Sequence, residues 1–199
     1  MRGPRVNMQV GVLALQGAFA AHSECLTSIG VQSVEIRTPE QLGSVDALLM
    51  PGGESSTMSQ LLESSGLFDP IAARIADGMP VFGTCAGMIL LASEILDGRS
   101  DQRSFSAIDI SVRRNAFGRQ VDSFEANIDS SVGEFHGVFI RAPRIERVGV
   151  GVEVLGSIND EPVLVRQGNV LAASFHPELS NDARLHEYFV SLTAKKKKV

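Results

Sequence analysis

The chain has 199 residues, 44% hydrophobic and 21% charged, a balance ordinary for a globular protein and ample for one domain with a sizeable core. Its formal net charge of −5 gives no general basis for binding nucleic acid, and no stretch approaches the roughly 20 apolar residues of a membrane span. The first ten residues hold two arginines and no apolar signal core, so the expected location is cytoplasmic.

In chain order, Gln9–Leu15 reads as a buried strand and Ala18–Ser28 as a helix closed by Gly30. Val34–Arg37 and Val45–Met50 are the next strands, the second stopping at Pro51-Gly52-Gly53. Ser56–Leu62 and Phe68–Ala76 read as helices, and Pro80–Thr84 as the strand that delivers Cys85. Beyond it the apolar run Met88–Ala92 is helix-like. Strands separated by helices of this length imply right-handed crossovers and a mostly parallel sheet.

The second half has a different texture. Ile108–Arg113, Ser123–Ile128, Gly137–Ile140, Val152–Ile158, Pro162–Arg166 and Val170–Ser174 are short and rich in Val, Ile and Phe. Gln167-Gly168-Asn169 signals a hairpin between the last two. The polar stretch Asp97–Ser104 is the best candidate for a mobile loop, and Ala183–Leu192 for a closing amphipathic helix. Residues 194–199, with Lys195–Lys198, read as a solvated, disordered end. The expected fold is one three-layer α/β domain spanning 1–199, with a small antiparallel extension.

Two cysteines are present, and the expected compartment argues for free thiols. No CxxC or Cys/His cluster has metal-ligand spacing, so no metal is expected. Cys25, at helical spacing with His22 and Ile29, reads as a small core hydrophobe. Cys85 is different. In Gly83-Thr84-Cys85-Ala86-Gly87 it sits between a strand and a helix, flanked by small residues that let a tight elbow close. The helix N-terminus there favours a thiolate and offers free N–H groups.

A nucleophilic cysteine needs a base and a group that orients the base. Ser174-Phe175-His176-Pro177-Glu178 ends an apolar strand, and residues two apart in an extended segment project the same way, so Glu178 is placed to hold His176. Pro51-Gly52-Gly53-Glu54 runs bare backbone N–H groups out of a strand end, which suits an oxyanion hole, though a plain turn and helix cap reads equally. It is not a phosphate-binding loop, since the pattern with lysine is missing. Arg113, Arg114 and Arg119 stand close enough together to bind a carboxylate or to line an exposed loop, and Arg141 after Phe139-Ile140 shares that ambiguity. His22, His136 and His186 have no sequence partner and read as structural or exposed.

Elbow cysteine, PGGE loop and FHPE together resemble the class I (triad) glutamine amidotransferases. Leu15-Gln16-Gly17-Ala18, Pro51–Met58, Arg114–Glu125 (RNAFGRQVDSFE) and Val138–Pro143 (VFIRAP) are similar to one branch of that group, the glutaminase subunits of pyridoxal phosphate synthase. The resemblance covers residues from about 9 to 190 and implies a flavodoxin-like fold. It implies that Cys85 attacks L-glutamine, that His176 carries the proton and that Glu178 orients His176. It further implies that Gly52, Gly53, Glu54, Arg114, Ile140 and Arg141 hold glutamine, with the backbone of Gly53 and Ala86 as oxyanion hole. No cofactor is implied. The partner implied is a separate synthase subunit that receives ammonia and builds pyridoxal phosphate from ribose 5-phosphate and glyceraldehyde 3-phosphate. Coupling to that subunit is expected at Gln16-Gly17-Ala18. Another amidotransferase glutaminase, a γ-glutamyl hydrolase and a non-catalytic flavodoxin-like binding module are the competing readings.

Overall fold

Which face each strand residue takes is decided by alternation, and it sorts the core into two halves. A computed structural model describes residues 8–114 and 123–196. In chain order the elements are β1 (Gln9–Leu13), α1 (Phe19–Ser28), β2 (Gln32–Ile36), α2 (Pro39–Leu42), β3 (Ala47–Met50), α3 (Ser55–Ser64), α4 (Phe68–Ala76) and β4 (Val81–Thr84). There follow α5 (Ala86–Leu91), β5 (Ala92–Ile95), β6 (Ile108–Arg113), β7 (Ser123–Ser130), β8 (Phe135–Ile140) and β9 (Arg144–Val148). The last are β10 (Glu153–Ile158), β11 (Glu161–Gln167), β12 (Val170–Ala173), a 3₁₀ turn at Pro177–Leu179, and α6 (Arg184–Lys196).

Nine strands form the main sheet in the order β2-β1-β3-β4-β12-β11-β10-β7-β8. From β2 to β12 every pairing is parallel, and from β12 to β8 every pairing is antiparallel. The inner parallel strands β1, β3, β4 and β12 are buried on both faces, and β2 is a partly exposed edge. In β3, Ala47 and Leu49 pack in one core with Leu26 of α1 and Phe189 of α6, whereas Leu48 and Met50 pack in the other with Met58 of α3 and Ile71 of α4. Residues of period two therefore feed opposite helical layers, which is the three-layer α/β arrangement expected. The antiparallel extension is also as expected.

Local chemistry places the ends. Past α1, Gly30 takes φ 76° while its N–H bonds to the Thr27 carbonyl at 2.9 Å and that of Val31 to Leu26 at 2.9 Å, closing the helix. Gln167 pairs with Val170 across the Gly168-Asn169 turn, the hairpin that the sequence signalled.

Three features depart from the sequence reading. The helix after Cys85 stops at Leu91, and Ala92 opens β5, which pairs with β6; β9 pairs on the other side to make a second, three-stranded sheet. Four residues in β5 and the charge-rich Arg-Ile-Glu-Arg-Val of β9 are too short and polar to announce strands. The stretch Asp97–Ser104 has irregular backbone but is tied down: the Arg103 N–H bonds to Ser59 Oγ at 2.9 Å, and Phe105 just after it stacks on Phe68 at 4.4 Å. Last, α6 continues past Leu192 to Lys196, so the first residues of the expected tail are helical, and 197–199 lie outside the described residues. Among the described residues no helix is long and apolar enough to cross a membrane.

Candidate active site

Parallel pairing of β4 with β12 brings the two halves of the site together. Thr84 is in register with Ala173, so the residues that follow each strand, Cys85 and Ser174, leave the sheet at the same end. The Cys85 N–H bonds to the Ala173 carbonyl at 2.8 Å, locking that arrangement. Cys85 itself has φ 52° and ψ −108°, a strained conformation for a residue with a Cβ, which costs on the order of 1–3 kcal/mol and persists only where the surroundings enforce it. They do so by close packing. A Cβ on Gly87 would lie 2.1 Å from the Met50 carbonyl oxygen, so only glycine lets α5 approach β3 closely enough for the elbow to form.

His176 hangs from β8 through its N–H, which donates to the Val138 carbonyl at 2.8 Å. Pro177 then starts a 3₁₀ turn, so the His-Pro-Glu segment is not extended as the sequence argument had it. The turn achieves the contact by another route: His176 Nδ1 and Glu178 Oε1 are 2.8 Å apart, both residues being buried. Burial works against a charge on His176, but hydrogen bonds with Cys85 and Glu178, and their negative charge, hold its pKa up at about 10. Burial likewise pushes the Glu178 carboxyl up, and the His176 hydrogen bond with the neighbouring imidazoles outweighs it and holds the group low. The arrangement is that of a charged base pinned between a sulfur and a carboxylate.

The glycine loop after β3 forms the facing wall. A Cβ on Gly52 would lie 2.5 Å from His176 Cε1 and 3.3 Å from Cys85 Cβ, so the backbone there is packed against both side chains. The Glu54 N–H donates to Gln16 Oε1 at 3.1 Å, and the Ala18 N–H to the Gly52 carbonyl at 3.4 Å; the first strand-to-helix loop therefore braces the glycine loop. Glu54 is the N-cap of α3, accepting from the N–H groups of Ser56 (3.0 Å) and Thr57 (2.7 Å). Partial burial opposes its ionisation, and these hydrogen bonds overcome that and lower its pKa to about 2. The loop is the helix cap that one of its two readings named, and its backbone also lies close to Cys85.

Arg114 donates to Ser56 Oγ at 2.8 Å and to the Asp97 carbonyl at 2.8 Å, and its guanidinium is 4.0 Å from Glu54. Arg113, by contrast, points away to Glu146 at 3.2 Å, and Arg119 lies outside the described residues, as does all of 115–122. The Ile140 carbonyl is 3.9 Å from Cys85 Sγ, and the exposed Arg141 turns the chain at the end of β8 with φ 43°. A cleft of about 260 Å³ gathers Gly52, Gly53, Glu54, Cys85, Arg114, Ile140, Arg141 and His176. Ala86 and Glu178 are buried behind its wall. The volume is below the roughly 300–1,000 Å³ of sites for drug-sized ligands and suits a small polar metabolite. Among the described residues no group of His, Cys, Asp or Glu is arranged to hold a metal ion.

Two residues escaped the sequence argument. His22 of α1 is wholly buried, with Nε2 3.2 Å from Glu178 Oε2, and His186 of α6 is buried against it. The buried spacing of His22 with Leu26 was the only available signal, and it points to a core, not to Glu178. Cys25, expected in the core, is only half-buried; Leu26 takes that place. His136 is exposed and pairs with Glu125 at 2.7 Å.

Residues 12–195 match the model of the SNO glutamine amidotransferase family. The chain belongs to this family. It is 56% identical over 191 residues to a pyridoxal 5'-phosphate synthase subunit PdxT of Salinispora arenicola, covering 92% of this chain and 95% of that one. The subunit of the same name from Mycobacteroides abscessus is 56% identical over 185 residues, covering 92% and 96%. Among solved structures, a crystal structure of a glutamine amidotransferase superposes with TM-score 0.89 at 51% identity, covering 93% of this chain and 98% of that one. PurLQS from Thermotoga maritima shares the fold at TM-score 0.68 and 12% identity, covering 94% and 99%. In this family member the elbow cysteine, the glycine loop and His176 line one cleft, with Glu178 behind its wall.

Proposed function

We propose that this chain is the glutaminase subunit of a pyridoxal 5'-phosphate synthase, hydrolysing L-glutamine in the cleft and passing the ammonia to a synthase subunit. The observation that carries the chemistry is Cys85 held on a strained elbow beside His176, whose Nδ1 is 2.8 Å from Glu178. The thiolate of Cys85 attacks the carboxamide carbon, and the negative charge that develops on its oxygen is met by the backbone N–H groups of Gly53 and Ala86. His176, held protonated, gives its proton to the departing nitrogen, which leaves as ammonia. The neutral imidazole then takes a proton from water as its oxygen attacks the thioester, and glutamate leaves as the Cys85 thiolate is restored. Glu178 orients His176 and stabilises its charge.

Recognition of the amino-acid end follows from opposite charges 4.0 Å apart at the cleft rim, Arg114 for the α-carboxylate and Glu54 for the α-ammonium. Gly52 and Gly53 supply a wall without side chains, and Ile140 and Arg141 close the opposite side. Ammonia is used elsewhere, by a synthase subunit that builds pyridoxal phosphate from ribose 5-phosphate and glyceraldehyde 3-phosphate, and Gln16-Gly17-Ala18 is the segment that couples docking to the glycine loop. A cytoplasmic location belongs to the same reading.

The test is glutamate and ammonia release from glutamine, by the chain alone and with the synthase subunit added. Release that rises on addition supports the reading. Equal release with and without it favours a free-standing glutaminase or γ-glutamyl hydrolase, and no release together with no mass shift on Cys85 from a glutamine-analogue electrophile favours a binding module.

A further inference from the structure

Behind Glu178 the structure holds a sealed chain of polar groups that the mechanism above leaves unused. Glu178 presents Oε1 to His176 and Oε2 inward, where His22 Nε2 lies at 3.2 Å. His22 Nε2 is also 3.2 Å from Thr84 Oγ1, the residue before the elbow cysteine, and His22 Nδ1 is 2.9 Å from His186 Nε2. Glu178, His22 and His186 come from the 3₁₀ turn, α1 and α6, and the side chains of His22 and Glu178 have no exposure to solvent at all.

The contacts fix the protons. A carboxylate oxygen and an unprotonated ring nitrogen at this distance would repel, so His22 carries hydrogen on Nε2; it donates to Thr84 Oγ1 and lies against Glu178 Oε2, a buried oxygen with no hydrogen bond of its own. Its Nδ1 is then an acceptor, and His186 must donate from Nε2. The remaining His186 Nδ1 has no partner, and in this arrangement it is an unprotonated lone pair, not an orphaned N–H. The opposite arrangement would leave a buried donor unpaired at His186 and a lone pair facing a carboxylate. The groups facing the pair are Glu178 and His176 toward the cleft and Asp182 beside His186. Burial keeps both imidazoles neutral: it outweighs Glu178 and lowers His22 to about 4, and it lowers His186 to about 3, where protonation would set a second positive charge beside His22.

We propose that His22 is a positioning residue for the glutaminase reaction, fixing the inner oxygen of Glu178 so that the outer one meets His176, with His186 setting the tautomer of His22. This rests on the Cys85–His176–Glu178 reading. It makes the triad orienter itself an oriented group, in the way that outer partners orient metal-bound histidines.

The test is glutaminase kinetics in the presence of the synthase subunit for His22→Leu, His22→Gln, Glu178→Gln and the double variant His22→Leu/Glu178→Gln. His22→Leu is expected to lower kcat by about 10- to 100-fold, with KM for glutamine within about twofold. His22→Gln, whose amide nitrogen reaches the Nε2 position, is expected to recover most of that loss. In the Glu178→Gln background, His22→Leu is expected to cost little further if it acts through that carboxylate, whereas a route through Thr84 and the elbow would leave its loss intact. If His22→Leu does not fold, His22→Gln against His186→Leu carries the same comparison. Wild-type kcat in a folded His22→Leu, or losses that multiply in the double variant, would overturn the positioning role. Wild-type kcat in Glu178→Gln would instead overturn the triad reading beneath it.

Discussion

Two histidines touch the same carboxylate from opposite sides, and they hold opposite charge states. In front of Glu178, at the cleft wall, His176 is buried and yet carries a pKa of about 10; behind it, in the sealed interior, His22 is buried and drops to about 4. Burial disfavours the imidazolium at both places, so burial does not explain the difference. Partners do. His176 has both Cys85 and Glu178 as hydrogen-bond and charge partners, while His22 has Glu178, already paired with His176, and neutral Thr84 and His186 on its other contacts. One carboxylate beside a wholly buried ring does not recover the lost hydration; a carboxylate and a sulfur together do. His176 at the cleft wall is thereby held protonated, and the histidine behind it stays neutral.

The contrast breaks most completely at the sulfur. Cys85→Ala is expected to lower glutaminase kcat/KM by at least about 10⁴-fold while synthase turnover with added ammonium salt survives. His176→Asn should do the same. Persistent turnover in Cys85→Ala, measured as glutamate release, would remove the nucleophile from the mechanism. Glu178→Gln comes next, with a loss of about 10³-fold, because the ring is left without the charge that holds it protonated and oriented. A smaller break is geometric. Gly52→Ala places a methyl 2.5 Å from His176 Cε1, and the displacement of about 1 Å needed to relieve it predicts a loss near 10²-fold with little change in thermal stability.

The neutral interior makes its own prediction, in stability and not in rate. In the unfolded chain His22 and His186 titrate near 6.5, and in the fold they stay neutral down to about 4 and about 3. Between those values the unfolded state binds more protons, so stability rises with pH there and falls as acid is added. The loss is roughly 2–3 kcal/mol for His22 by pH 4, at about 1.4 kcal/mol per pKa unit. His176 has the opposite sign: its raised pKa contributes stability in full below 6.5, and this drains as pH climbs toward about 10. Urea unfolding at pH 7 and pH 4.5 measures the acid limb. His22→Gln should flatten it, and an unchanged slope in that variant would place the acid sensitivity elsewhere.

How much of this was legible in the sequence follows the same division. The cleft wall is written in local strings: an apolar strand into Gly-Thr-Cys-Ala-Gly, a strand into Pro-Gly-Gly-Glu, a strand into His-Pro-Glu. Each is a strand end with a turn, and turn chemistry is carried by neighbours in sequence. Parallel pairing of β4 and β12 could be expected only in kind, because register between distant strands leaves no local trace. The interior behind the wall has no string at all. His22 and His186 stand on two amphipathic helices far apart in sequence, and nothing in either helix distinguishes a histidine aimed at a carboxylate from one packed in a core. The second sheet was illegible for a related reason, since β5 and β9 draw their strand character from pairing with β6.

The two cysteines offer the finest test of the comparison. Cys25 lies half-buried on α1, and burial together with the charges of Glu178 and Glu24 raises its pKa. It therefore stays a thiol at neutral pH. Cys85 has His176 across the cleft and an open path to solvent through it. A thiolate is the reactive form, so iodoacetamide at pH 7 should modify Cys85 first and Cys25 slowly. A glutamine-analogue electrophile should add once per chain, at Cys85 alone. Cys25→Ala is then expected to leave kcat/KM within about twofold, to shift stability by less than about 1 kcal/mol, and to keep one equivalent of label. Intact mass after timed labelling reads all three species. Equal labelling rates at the two thiols would mean that the charge on His176 does not set the reactivity of Cys85.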